Sequence, residues 1–150
     1  VKNLFDPASV REVRERALRL RPDSKRQWGK MNAAQAAAHC SASLEMALGD
    51  LRPPRVLAGR IMGPIVKRFA LGNDEPMHRN SPTARDLVMS GEHDLDTERT
   101  RLVGLIDRFA VAGPGGCSSH PHPFFGKLTP PQWAELMYKH LDHHLRQFGV

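Results

Sequence analysis

Eight histidines occur in 150 residues, and two of them, His140 and His144, stand four positions apart near the C-terminal end. On a helix that spacing places both imidazoles on one face, close enough to bind a single metal ion together. The spacing alone is a weak motif in a chain so rich in histidine. His39 is the only histidine of the alanine-rich stretch 33–48 and is the best candidate for a third ligand from another element. Gln35 and Ser43 share its face one turn either way. The same positions also suit a plainer chemistry, in which each ring hydrogen-bonds a neighbour or a buried water.

Which reading applies depends on where the carrying helices point their faces. The last helix has a clear start: Thr129 caps it, Pro130 and Pro131 fill the first turn and Gln132 completes a capping box. It runs to about Phe148. At 100° per residue, Trp133, Leu136, Met137, Leu141, Leu145 and Phe148 form one apolar arc, and His140 and His144 lie inside it. His143 falls at its border. Glu135, Lys139, Asp142 and Arg146 cluster opposite, which predicts a solvent face.

Three more long helices are expected. Asp6-Pro7 caps a first, with Val10, Val13, Ala17 and Leu20 at helical spacing, closed by Pro22. Asn32 and Gln35 form the capping box of a second that continues to Gly49. Asp94 or Asp96 starts a third, with Leu95, Leu102, Leu105, Ile106 and Phe109 as its stripe, stopped by Gly113-Pro114-Gly115-Gly116. In the connection between the second and third, residues 55–69 read as a further helix weakened by Gly59, Gly63 and Pro64, and 73–91 read as loop or irregular turns. His78, His93, His120 and His122 fall in loops, where solvation is the default. There is no repeat and no alternating strand pattern. The prediction is a single all-α domain over 1–150, a four-helix bundle with a long crossover and an extra short helix.

Composition narrows the function classes. Apolar residues make up 40% and charged residues 25%, an ordinary globular balance, and no apolar stretch is long enough for a membrane span. Residues 1–10 are polar and do not read as a secretory signal. Two cysteines far apart, Cys40 and Cys117, are too few for a disulfide scaffold or a thiolate zinc site, so a cytoplasmic setting is expected. The net charge of +6 comes largely from arginines between 11 and 26. They alternate with Glu12, Glu15 and Asp23 and have no aromatic residues among them to stack on bases, which disfavours nucleic acid as a partner.

Trp28, the Asn32-Ala-Ala-Gln35 start and His39 resemble the second helix of the DinB/YfiT-like superfamily of metalloenzymes. His122-Pro-Phe-Phe-Gly-Lys-Leu-Thr, then Trp133, then His140-Leu-Asp-His143-His144-Leu-Arg-Gln147-Phe, together with Asn80-Ser-Pro-Thr83, resemble one of its subfamilies of unknown function. The resemblance covers about residue 5 to the end. It implies an up-down-down-up four-helix bundle and a divalent metal, zinc or nickel, held by His39, His140 and His144. It also implies small-molecule chemistry, since characterised relatives include transferases and isomerases that use low-molecular-weight thiols. Related bundles often dimerise through helix faces, and a surplus exposed apolar stripe would be the sign of a homodimer.

The leading expectation is therefore a metal-dependent enzyme, with a thiol-dependent transferase as its reaction class. In it His143 and Gln147 would be donors behind the ligands, or His143 would move protons, and His122 would reach the mouth of the site. Hydrolysis is disfavoured, because no HExxH occurs and Asp142 is expected to face solvent. The alternative from another class is a non-catalytic stress-response or ligand-binding bundle with a structural or vestigial metal site.

Overall fold

The computed structural model describes residues 1–150 and is all-helical. Its five α-helices are α1 (Pro7–Leu18), α2 (Ala33–Leu48), α3 (Leu57–Ala70), α4 (Leu95–Ala112) and α5 (Pro130–Gln147), with single 3-10 turns at Arg85–Leu87 and Pro114–Gly116. There is no strand; one isolated bridge joins His122 and Gly126.

The caps form where the residue types require them. The Asp6 carboxylate accepts from the N–H groups of Ala8 and Ser9, and the Asp94 carboxylate accepts from that of Thr97, which fixes the α4 start at the earlier of the two aspartates. Asn32–Gln35 and Thr129–Gln132 both close reciprocal capping boxes. Gly49 ends α2 at φ 84°, a left-handed conformation that costs glycine nothing. Helix α1 stops at Leu18, two residues before the expected end, and Leu20 still packs into the core.

Four helices enclose one core. Helix α2 packs against α4 and α5, and α1 packs against the same two from the other side. Every residue of α2 from Ala33 to Leu44 except Gln35 is buried, so its alanines serve close approach on several sides as well as helix propensity. Trp133, Phe109, Leu102, Ile106 and Leu141 fill the centre. Helix α3 stands apart from this group and rests on the loop before α5.

One expectation is overturned. Glu135, Lys139 and Asp142 do not face solvent; all three are buried. The chain leaving α3 runs across that side of α5: the Gly72 N–H donates to Glu135 Oε1, and Lys139 Nζ donates to the carbonyls of Ala70 and Asn73. Asp142 is held by Arg16 of α1 at 2.8 Å and by Arg146 at 2.8 Å. A polar stripe predicts solvent only when nothing else supplies its hydrogen bonds, and here two other segments supply them. Arg146 alone keeps the expected exposure.

Candidate metal centre

Helix α5 carries His140 and His144 one turn apart on the side turned to α2, and α2 presents His39 to them. One nitrogen from each lies within 4.8 Å of the others. His39 Nε2 and His140 Nε2 are 2.9 Å apart. Ring centroids are 4.8 Å apart for His39 and each partner and 4.7 Å for His140 and His144. His39 is buried, and His140 keeps partial exposure.

The outer nitrogens decide what the inner ones can do. His39 Nδ1 lies 2.7 Å from the carbonyl of Leu87, a group that can only accept. The proton therefore sits on Nδ1 and a lone pair on Nε2. His144 Nδ1 lies 2.8 Å from Gln147 Oε1, while the Gln147 amide nitrogen donates to the Trp28 carbonyl at 2.7 Å. That second bond fixes which end of the amide is oxygen, so His144 too carries its proton on Nδ1 and offers Nε2 as a lone pair. Lone pairs converge where a cation is wanted. Two nitrogens bound to one ion at about 2.1 Å each can be no more than about 4.2 Å apart, a condition the closest pair already meets.

Charge points the same way. Burial lowers the pKa of His39 against the pull of the Leu87 carbonyl. His144 is pushed down to about 3 by burial, with His39 adding to it, and His140 falls well below the usual histidine range through burial and the rings around it. Three neutral imidazoles gathered this closely, two of them with Nε2 unprotonated, could hold a metal ion.

The remaining histidines separate. His143 lies between Trp28 and the trio, its ring centroid 5.4 Å from that of Trp28 and 5.0 Å, edge to face, from that of His144, and burial lowers its pKa. It borders a groove of about 550 Å³ with Trp28, Met77, Arg79 and Arg146, where the Arg79 guanidinium lies 4.1 Å from the centre of the indole ring. His122 is not the solvated loop residue expected. Its Nδ1 accepts from the N–H groups of Phe124 and Phe125, its ring packs on Trp133, and burial and Arg55 push its pKa down to about 4. His120 Nε2 meets the Pro53 carbonyl and His93 lies between Glu98 and the Ser90 carbonyl.

Sequence reasoning missed Leu87 and the Trp28 carbonyl, because a backbone oxygen leaves no residue-type signal. Two buried polar atoms, Trp28 Nε1 and Ser41 Oγ, make no hydrogen bond.

Residues 4–149 match the family described as "Protein of unknown function (DUF1569)", and the chain belongs to that family. No curated protein and no solved structure matches the chain. No helix is long and apolar enough to cross a membrane.

Proposed function

We propose that this member of the DUF1569 family is a metal-dependent enzyme of the DinB/YfiT-like kind, with its bundle in the up-down-down-up order and a low-molecular-weight thiol as one substrate. The observation that carries the reading is the fixing of the outer nitrogens of His39 and His144 by the Leu87 carbonyl and Gln147, which leaves an unprotonated Nε2 on each, that of His39 2.9 Å from His140 Nε2. A buried histidine needs hydrogen-bond partners whatever its role; what favours a metal is that His39 and His144 both keep Nε2 as an acceptor within one three-histidine cluster.

Zinc or nickel suits three imidazole ligands. A divalent ion held by neutral ligands keeps its positive charge and an open position, and it supplies Lewis acidity that lowers the pKa of a thiol or water placed there. The chain's own residues do the rest. Gln147 and the Leu87 carbonyl orient the ligand rings. His122, whose Nδ1 is occupied by two backbone N–H groups, carries its proton on Nε2, and its ring packs on Trp133. His143 lines the groove beside Trp28, where it can exchange a proton with a bound substrate, and Arg79 and Arg146 give that groove a positive wall. No Asp or Glu joins the three-histidine cluster, and Asp142 is tied up by two arginines, which disfavours the carboxylate-base route of metal-assisted hydrolysis.

The test is a conjugation assay of the zinc- or nickel-loaded protein with a panel of biological thiols and an electrophile. Turnover lost in His140→Ala supports the proposal. Stoichiometric metal without turnover on any thiol would favour the second reading, a ligand-binding bundle with a structural site, which the groove beside His143 also suits.

A further inference from the structure

Arg79 stands in the long crossover between α3 and α4 with no carboxylate to pair with. Its guanidinium lies over the Trp28 indole, 4.1 Å from the ring centre, which holds the group in place and leaves its N–H edges free. Arg146, in the last turn of α5, lines the same groove. Its Nε is occupied by Asp142 at 2.8 Å, and its two terminal nitrogens have no partner. Nothing in the groove neutralises the two cations. No aspartate or glutamate lines it, Asp142 is shared with Arg16, and the Val150 carbonyl oxygen is held by Arg16 as well. Trp28 Nε1 is a further buried donor without an acceptor. A cleft lined by charge of one sign draws a counter-ion in.

We infer that this groove binds a small organic anion, whose carboxylate or phosphate group lies between Arg79 and Arg146 and whose carbon body rests on Pro76 and Met77. Size and lining choose this class of ligand. A volume of about 550 Å³ is that of a small-molecule site and far exceeds what a bare inorganic ion needs. Pro76, Met77 and the Trp28 ring supply apolar surface beside the charged end. A planar guanidinium matches carboxylate or phosphate oxygens two at a time, and Arg79 is already oriented by its stack on Trp28.

The groove shares a wall with the candidate metal centre. His143 lines it, and the His143 and His144 rings lie edge to face with centroids 5.0 Å apart. The anion is the co-substrate of the thiol, held by its charge one ring away from the metal ligands; this role rests on the metal-dependent reading above. Its binding needs no metal, so the two readings fail separately.

Titration of the metal-free chain, followed by its two indole N–H signals in proton–nitrogen correlation spectra, tests it. Trp133 Nε1 donates to the Ser118 carbonyl and its ring is in the core, so its signal serves as the internal reference. Benzoate and phenyl phosphate are the probes, and benzamide is the uncharged control. At least one anion should shift the Trp28 signal saturably while that of Trp133 stays fixed, and the tighter of the two tells carboxylate from phosphate. Benzamide should bind at least about 10-fold more weakly than benzoate. Arg79→Gln and Arg146→Gln should each weaken the anion by at least about 10-fold. Circular dichroism and Tm should not move, since both side chains are exposed and Asp142 keeps Arg16. His140→Ala, which removes a metal ligand, should leave the anion's affinity as it was. No saturable shift with either anion would overturn the inference, as would benzamide matching benzoate or inorganic phosphate matching phenyl phosphate. Anion binding that neither arginine variant weakens would overturn it too.

Discussion

His39 Nε2 and His140 Nε2 face each other at 2.9 Å although 101 positions separate them in the chain. The His39 nitrogen carries a lone pair, because the ring's proton sits on its other nitrogen, which donates a hydrogen bond to the Leu87 carbonyl. Such a contact is stable in two ways only: a proton on His140 Nε2, or a cation between the rings. Metal analysis of protein purified without a histidine tag separates them. We expect close to one divalent ion per chain, and almost none in His39→Ala, His140→Ala or His144→Ala. His143→Ala should keep its metal, since His143 does not join the cluster of His39, His140 and His144. Unchanged metal content in the first three variants would refute the site.

Gln147 acts on the metal only through His144. Gln147→Leu removes the acceptor at 2.8 Å and should weaken metal binding by about 10- to 100-fold with all three ligands in place. Gln147→Glu keeps an acceptor for the Nδ1 proton and should recover most of that loss. Competition with a chromogenic chelator reads both, and equal affinity in all three proteins would show that Gln147 has no orienting role.

Acid should unfold the metal-free protein early. His122 is held at about 4 and His144 at about 3, both below the roughly 6.5 of a histidine in an unfolded chain. Between those values the unfolded chain binds protons that the folded one refuses, so stability falls as pH drops from about 6.5 toward 4. Each such histidine contributes a slope of up to about 1.4 kcal/mol per pH unit. Urea titrations across that range check it. A flat profile would mean that these rings are charged, or free to charge, in the fold.

Gly63→Ala places a methyl group against the Phe124 carbonyl. Helix α3 must lift or the turn must shift, at a cost of about 1–3 kcal/mol. Hydrogen exchange should show the loss concentrated in 57–70 and 122–126, with α2 and α5 little changed. A uniform loss would mean that α3 and the bundle unfold as one unit.

Asp142 sits between Arg16 and Arg146, and its pair with Arg16 is nearly enclosed on both sides. Asp142→Ala leaves Arg16 with Glu12, at 3.2 Å, and the Val150 carbonyl as its remaining partners and should cost about 2 kcal/mol, whereas the double change Arg16→Met with Asp142→Leu should cost less. Chemical denaturation of the three proteins gives the comparison. If the double change is the more damaging, the ion pair is contributing stability of its own.

The sequence by itself determined the helices and most of their ends. Asp6, Asn32, Asp94 and Thr129 cap as their side chains dictate, because an N-cap is a bond between neighbours in the chain. The inward side of His140 and His144 was legible for a similar reason, since a helix wheel needs only the 3.6-residue period. The meeting of His39 with that pair was not legible from the residues; it depends on how α2 lies against α5, and in the sequence it rested on resemblance. Only the tertiary structure decided that Glu135, Lys139 and Asp142 are buried, that α3 turns its glycines inward and its apolar stripe outward, and that a Leu87 carbonyl sets the tautomer of His39. In each case the deciding partner is a distant backbone or a distant charge. Periodicity shows which residues share a face, but the packing of other segments determines what that face meets.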